Sequence, residues 1–147
     1  MKPLLNYSFF ILLLLSFFLL LKCSFSQNKK SMQDALIRKA VIKHVDFNIL
    51  TPVNVNCNQF EDYFFNNYKT IEIQNEEEIQ KLLFLLSSME HIDSTYAQSV
   101  NTRTLLELYK YDDSVEVICF GNLSIKKKDI IYKNNDDIRN FINQFFR

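Results

Sequence analysis

Glycine is almost missing from this chain: Gly121 is the only one in 147 residues. Gly-rich loops that cradle phosphates therefore cannot be built, and the nucleotide-binding motifs that depend on them are excluded. A basic surplus is missing too. The 17 Lys and Arg residues are balanced by 17 Asp and Glu, which removes the electrostatic footprint of a nucleic-acid partner. The run Lys126, Lys127, Lys128 is followed by Asp129 and reads as a solvated turn. There is no nucleophile elbow, no zinc-protease helix, no paired catalytic carboxylates and no C-x-x-C motif. The sequence thus singles out no catalytic and no cofactor-binding residue. Asparagine is abundant and takes over turn positions, because it tolerates left-handed backbone.

What the chain does have is a long apolar run near its start. Residues 4–21 are apolar except for Asn6, Ser8 and Ser16, and Lys2 precedes them. The dense part, Tyr7 to Leu21, has the length of a signal-peptide core and is short for a bilayer span. Ser24 and Ser26 supply the small residues a signal peptidase needs, so cleavage is expected between Ser26 and Gln27. Two alternatives stand beside that reading. Cys23 would be a lipid anchor, but Lys22 occupies the position where a lipobox wants a small residue. The run would be an uncleaved anchor, an arrangement to which Lys22, Lys29 and Lys30 add positive charge on its far side.

Without the first 26 residues the chain carries 15 basic and 17 acidic side chains, a net charge of −2. The remaining 121 residues suffice for one domain with one modest core. The expected organisation is a signal peptide over 1–26, a polar leader over 27–40 and a single domain over 41–147.

Local patterns give the elements. "DALIRKAVIKHVDFNIL" permits a short helix or coil passing into a strand near 41–49. "VNVNC" alternates as a strand with Val53, Val55 and Cys57 on one face. Asn58 and Glu61 read as a helix start, with Phe60, Tyr63 and Phe64 as its stripe. "YKTIEI" is a strand with Ile71 and Ile73 on one face. Asn75 and Glu78 cap a helix whose stripe is Ile79, Leu82, Leu83 and Leu86, thickened by Phe84 and Leu85. "DSTYAQSVNT" is a polar loop. "TLLELYKY" and "VEVICF" flank Asp112-Asp113-Ser114 as a hairpin, and "LSI" and "IIYK" follow. Asn134 and Asp137 are expected to cap a last helix with the stripe Ile138, Phe141, Ile142 and Phe145. Segregated strands and helices predict an α+β fold, an antiparallel sheet packed on one face by two or three helices.

Three groups are candidates for chemistry or recognition. Cys57 and Cys119 both fall in strand parity with apolar neighbours, so both thiols are expected to face the core. In an exported chain they read as a structural disulfide. Closing that 63-residue loop is worth about 4 kcal/mol on the chain-entropy model. The rival reading is a redox pair or metal thiolates. The histidines recur in matched settings, "HVD" at His44–Asp46 and "HID" at His91–Asp93. Adjacent segments would bring two imidazoles and two carboxylates around a divalent metal; separated segments are two solvated polar pairs. Tyr109 and Tyr111 share a strand parity with Glu107, a half-polar aromatic face suited either to a partner or to a place under the helices.

The leader ending "SFSQ", the stretch "CNQFEDYF", a helix before "NTRTLLELY", and "VICFG" before a last hairpin and helix resemble small exported, signal-peptide-bearing proteins of Bacteroidota. The resemblance implies a periplasmic or secreted setting and a Cys57–Cys119 disulfide, and it brings no activity. The function expected is that of an exported, non-catalytic domain binding a protein or a cell-envelope component. Membrane contact would come only through an uncleaved N-terminal segment. The alternatives are a metal-binding protein or enzyme using the two His-x-Asp pairs, and a periplasmic inhibitor or immunity-type protein.

Overall fold

The computed structural model describes residues 36–92 and 100–147. The expected cleavage site at Ser26–Gln27, Cys23 and most of the "DSTYAQSVNT" loop lie outside them. Among the described residues, six strands form one antiparallel sheet: β1 (Ile37–His44), β2 (Lys69–Ile73), β3 (Thr104–Lys110), β4 (Val115–Phe120), β5 (Ser124–Lys127) and β6 (Ile130–Lys133). Their order across the sheet is β2-β1-β3-β4-β5-β6. The helices are α1 (Phe60–Tyr63), α2 (Glu76–Ser87) and α3 (Asp136–Asn143), with a 3-10 turn at Cys57–Gln59. The arrangement is α+β.

β1 starts at Ile37, so the strand reaches back into the stretch read as a leader, helix or coil, and it stops at His44 rather than near 49. It lies between β2 and β3, and Ala40, Val41 and Ile42 are all buried. Burial of both sides at these positions replaces alternation by a continuous apolar run, which also satisfies helical spacing.

The main core lies between one sheet face and α2 and α3. Ala40, Ile42, Ile73, Leu106, Leu108, Ile118, Phe120 and Ile125 meet Ile79, Leu82 and Leu86 from α2 and Ile138, Phe141 and Ile142 from α3. The α2 cap is as expected, with the Glu78 N–H donating to Asn75 Oδ1 over 3.1 Å. Its stripe is narrower than expected: Leu83 and Leu85 are half-buried and Phe84 is 71% exposed. The α3 cap is Asn135, whose Oδ1 accepts from the Ile138 N–H over 2.9 Å. Asn134 turns inward instead, its Nδ2 donating to the Gly121 carbonyl over 2.6 Å. At that crossing a Cβ on Gly121 would stand 2.7 Å from the Asn101 carbonyl oxygen. Close backbone approach is thus where the chain keeps its single glycine.

A smaller core lies on the opposite face, where Val45, Val55, Phe60 and Phe64 cover Leu105 and Cys119. The covering chain, residues 45–68, was expected to supply a strand and a helix. It supplies neither at full length. "VNVNC" is irregular up to the 3-10 turn that holds Cys57, with Val55 buried and Val53 55% exposed. It lies across the sheet face rather than along an edge, so its backbone pairs elsewhere: the Val55 N–H donates to Asn101 Oδ1 and its carbonyl accepts from the Thr102 N–H. α1 is a single turn. Gln59 occupies its cap position without a side-chain bond, so Asn58 does not cap it. Phe60 and Phe64 point inward, whereas Tyr63 is 41% exposed.

Arg103 fastens this layer. Its side chain is 3% exposed and makes no ion pair among the described residues. Nε donates to the Ile49 carbonyl, Nη1 to Asn101 Oδ1 and the Thr102 carbonyl, and Nη2 to Thr51 Oγ1, at 2.7–3.1 Å. The Phe64 ring lies 5.9 Å from the guanidinium carbon. Four of the five N–H groups are satisfied by neutral oxygens in a fork-shaped arrangement that an ammonium cannot copy. Burial pulls the Arg103 pKa below its ordinary value.

Arg103→Lys should therefore destabilise the protein by about 3 kcal/mol in urea unfolding, because buried acceptors lose their donors. A change within about 0.5 kcal/mol, as expected at an unremarkable surface site, would show that the guanidinium is not the clamp.

Candidate functional site

The sheet face opposite α2 and α3 is covered at one end by residues 45–68 and open at the other. Strand pairing arranges this whole face in rows, from the open end towards the covered one. Lys39, Tyr109 and Val115 stand side by side, then Val41, Glu107 and Val117, then Lys43, Leu105, Cys119, Lys126 and Ile131. Tyr109 and Glu107 do share this face. Tyr111 lies beyond β3 in the hairpin turn and is 56% exposed.

Most polar groups on this face satisfy one another. Lys43 Nζ donates to Glu107 Oε1 at 2.7 Å and to Glu61 Oε1 at 2.6 Å. Partial burial pulls the Lys43 pKa down, but the two carboxylates outweigh it and hold the ammonium above the usual lysine range. Tyr109 Oη donates to Glu107 Oε2 at 2.9 Å, a bond that raises the phenol pKa. Lys39 Nζ stands 5.0 Å above the Tyr109 ring centroid and 2.7 Å from Glu72 Oε2. That bond, with a further one from Gln74, lowers the Glu72 pKa. The lattice fixes the orientation of Tyr109 and leaves little free charge around it.

Beside the lattice the face is apolar. β5 pairs with β4 only from Ile118 to Phe120, and beyond that ladder Val115 and Val117 are 45% and 42% exposed. Val117 borders a cleft of about 540 Å³ that Val100, Ile131 and the two cysteines also line, with Lys126, Lys128, Asn56 and Asn58 around it. Cys57 and Cys119 are joined in a disulfide with a Cα–Cα distance of 5.8 Å. The expected pairing is present, although Cys57 reaches it from a 3-10 turn rather than from a strand. With both sulfurs in that bond, neither is a free thiolate for metal or redox chemistry.

The two histidines do not come together. One cross-strand row runs from His44 through Thr104, Phe120, Ile125 and Tyr132 to His91. The histidines thus stand at its two ends, five strand spacings or about 24 Å apart. His91 sits at the sheet edge, bridged to Tyr132 with its ring edge-on at 6.1 Å. Asp93 is outside the described residues, and no group of three or more metal-ligating side chains occurs among them.

His44 is placed very differently from the solvated pair expected of it. It is 7% exposed, its Nδ1 lies 2.7 Å from Thr104 Oγ1, and its ring centroid lies 4.7 Å from that of Phe146 and 5.1 Å from that of Phe47. Burial lowers its pKa from the ordinary 6.5 to about 4; Asp46 opposes the shift and Lys69 adds to it. A histidine on a strand that begins in a polar stretch carries no sequence signal for this burial. The aromatic neighbour Phe146 comes from more than a hundred residues away.

Lowering the folded-state pKa makes stability depend on pH in one direction. Above pH 6.5 the imidazole is neutral in both states. Between 6.5 and about 4 the unfolded chain gains a proton that the folded chain refuses, so stability falls by up to about 1.4 kcal/mol per pH unit. Urea unfolding at pH 7 and pH 4.5 should show wild type losing about 2 kcal/mol more than His44→Gln. Parallel losses in the two proteins would contradict a buried neutral His44.

No family model, curated protein or solved structure matches the chain, so its functional reading rests on these side chains and their geometry.

Proposed function

We propose that this is an exported, non-catalytic recognition domain that binds a protein partner through the uncovered face of its sheet. The observation that carries the reading is the exposure of Val115 and Val117, side by side on the part of β4 that β5 does not reach. A patch of β-branched apolar side chains left open beside a cleft is characteristic of an interaction site. The charge lattice around Lys43 and Glu107 supports the same reading. It fixes the neighbouring surface in one shape, so less conformational entropy is lost on docking. Lys126 and Lys128 flank the cleft without an ion pair among the described residues. They favour a partner segment that is apolar with acidic flanks.

Export is supported by the Cys57–Cys119 bond, since such bonds persist in oxidising compartments. Among the described residues no helix is long and apolar enough to cross a membrane.

The test is site-specific photo-crosslinking in the producing cells, with the crosslinker at position 117 or at position 81 on α2. A single protein adduct at 117 and none at 81 is expected. Val117→Glu should weaken capture of that protein about tenfold or more while leaving the unfolding midpoint in place. Equal adducts at both positions, or undiminished capture by Val117→Glu, would overturn the reading.

A further inference from the structure

The two edges of the sheet end differently. At the β6 edge the chain after α2 takes up free backbone groups. The Ile92 N–H donates to the Ile131 carbonyl over 3.0 Å, and the Lys133 N–H donates to the Glu90 carbonyl over 2.8 Å. Along β2, by contrast, Lys69–Ile73 pair only with β1, and their outward N–H and C=O groups have no partner among the described residues. The ladder to β1 runs without a register shift and β2 holds no proline. It thus lacks the bulge, the proline and the cover by which sheet edges are commonly blocked. What it carries is charge. Lys69 and Glu72 stand towards opposite ends of the strand, so only a strand with the complementary order fits beside it.

An antiparallel copy of β2 itself has that order. Ile71 and Ile73 stand opposite Ile42 and Ala40 and share with Lys69 the side that faces α2 and α3, while Thr70 and Glu72 share the other. A two-fold axis through Ile71, perpendicular to the sheet, keeps these sides together. It sets Ile71 against Ile71 of the second copy, Thr70 against its Glu72 and Lys69 against its Ile73. Ile71 is half-buried at the margin of the main core, so the row of Ile42 and Ile71 continues into its counterpart. Thr70 offers a hydroxyl donor to the facing carboxylate. The flanks match as well. Lys69 at one end of β2 is exposed, as are Glu76 and Glu77 in the first turn of α2 just past the other end. None of the three makes an ion pair among the described residues. Antiparallel pairing brings each Lys69 beside the acidic turn of the other copy, twice over.

We propose that β2 is a self-association edge, where a second copy of this chain pairs antiparallel about Ile71 and continues the sheet across the two-fold axis. Such a pairing is isologous and closed, because each copy uses up its open edge. It does not involve Val115 or Val117, so it stands or falls apart from the reading of the uncovered face.

The test is sedimentation equilibrium of the disulfide-bonded protein. A ladder of 5 residues is small for an interface, so a monomer–dimer equilibrium with a Kd of about 10–100 μM is expected. Lys69→Glu changes an exposed side chain. At low salt it should weaken the dimer about tenfold with an unchanged unfolding midpoint, and adding Glu76→Lys and Glu77→Lys to it should restore the dimer. Under oxidation Ile71→Cys should link two copies through the axis, whereas Asp137→Cys on α3 should not. A protein that stays monomeric up to about 500 μM would overturn the proposal. So would a dimer that Lys69→Glu leaves intact or that Ile71→Cys fails to link, since it would form through another surface.

Discussion

The layer that covers one end of the sheet face is held in place by one buried cation. Among the described residues Arg103 has no carboxylate to neutralise it. It sits among a side-chain amide, a hydroxyl and two backbone carbonyls, with Phe64 against its guanidinium. A buried charge is tolerated only when it is fully solvated by fixed dipoles, so the chain on either side of Thr51 must stay where those oxygens are needed. Asn101 extends the constraint, because its Oδ1 accepts from both Arg103 and the Val55 N–H. The disulfide then ties Cys57, two residues on, to β4. Together these contacts hold a layer with almost no regular structure against Leu105 and Cys119.

The two sheet faces consequently answer to different physics. Under α2 and α3 the side chains are apolar and interlocked, and the energy is that of ordinary burial. On the other face a small apolar core ends where Lys43 meets Glu61 and Glu107, and beyond it the surface is a lattice of mutually satisfied charges and a tyrosine. The Lys43–Glu107 pair is half-buried, so its attraction is offset by desolvation, and the more exposed pairs around it contribute little to stability. What they supply is a defined surface beside two exposed valines, and such a surface is what recognition requires. On the helix side the His44 imidazole stays neutral because burial disfavours its charge.

Regular elements were legible in the sequence wherever local chemistry decided them. Asn75 and Glu78 mark the start of α2 because the cap is a three-residue interaction. Asp112-Asp113-Ser114 marks the hairpin. Asp113 adopts left-handed backbone, and Asp112 Oδ1 accepts from the Ser114 N–H at 3.0 Å. Features decided by distant partners were not legible. "VNVNC" has a strand's alternation but pairs with Asn101 and Thr102 instead of a strand. Asn134 resembles a cap until Gly121 claims its amide. Of the candidate groups, the inward side of Cys119 could be foreseen from parity, although Cys57 reaches it from a 3-10 turn, and Tyr109 with Glu107 could be foreseen from strand spacing. Arg103 and the burial of His44 depend on chain segments dozens of residues away, and nothing beside either residue announces them.

The central claim is that the layer over residues 45–68 is a separately fastened unit on an otherwise complete sheet. Native-state hydrogen exchange on the protein with and without its disulfide tests it most directly. With Cys57→Ala/Cys119→Ala, the amides of Val55, Gln59 and Phe64 should lose protection while those of β1, β3 and α2 keep theirs. A uniform loss across sheet, helices and layer would mean that the two cores unfold as one, and the account of a clamped second layer would be wrong.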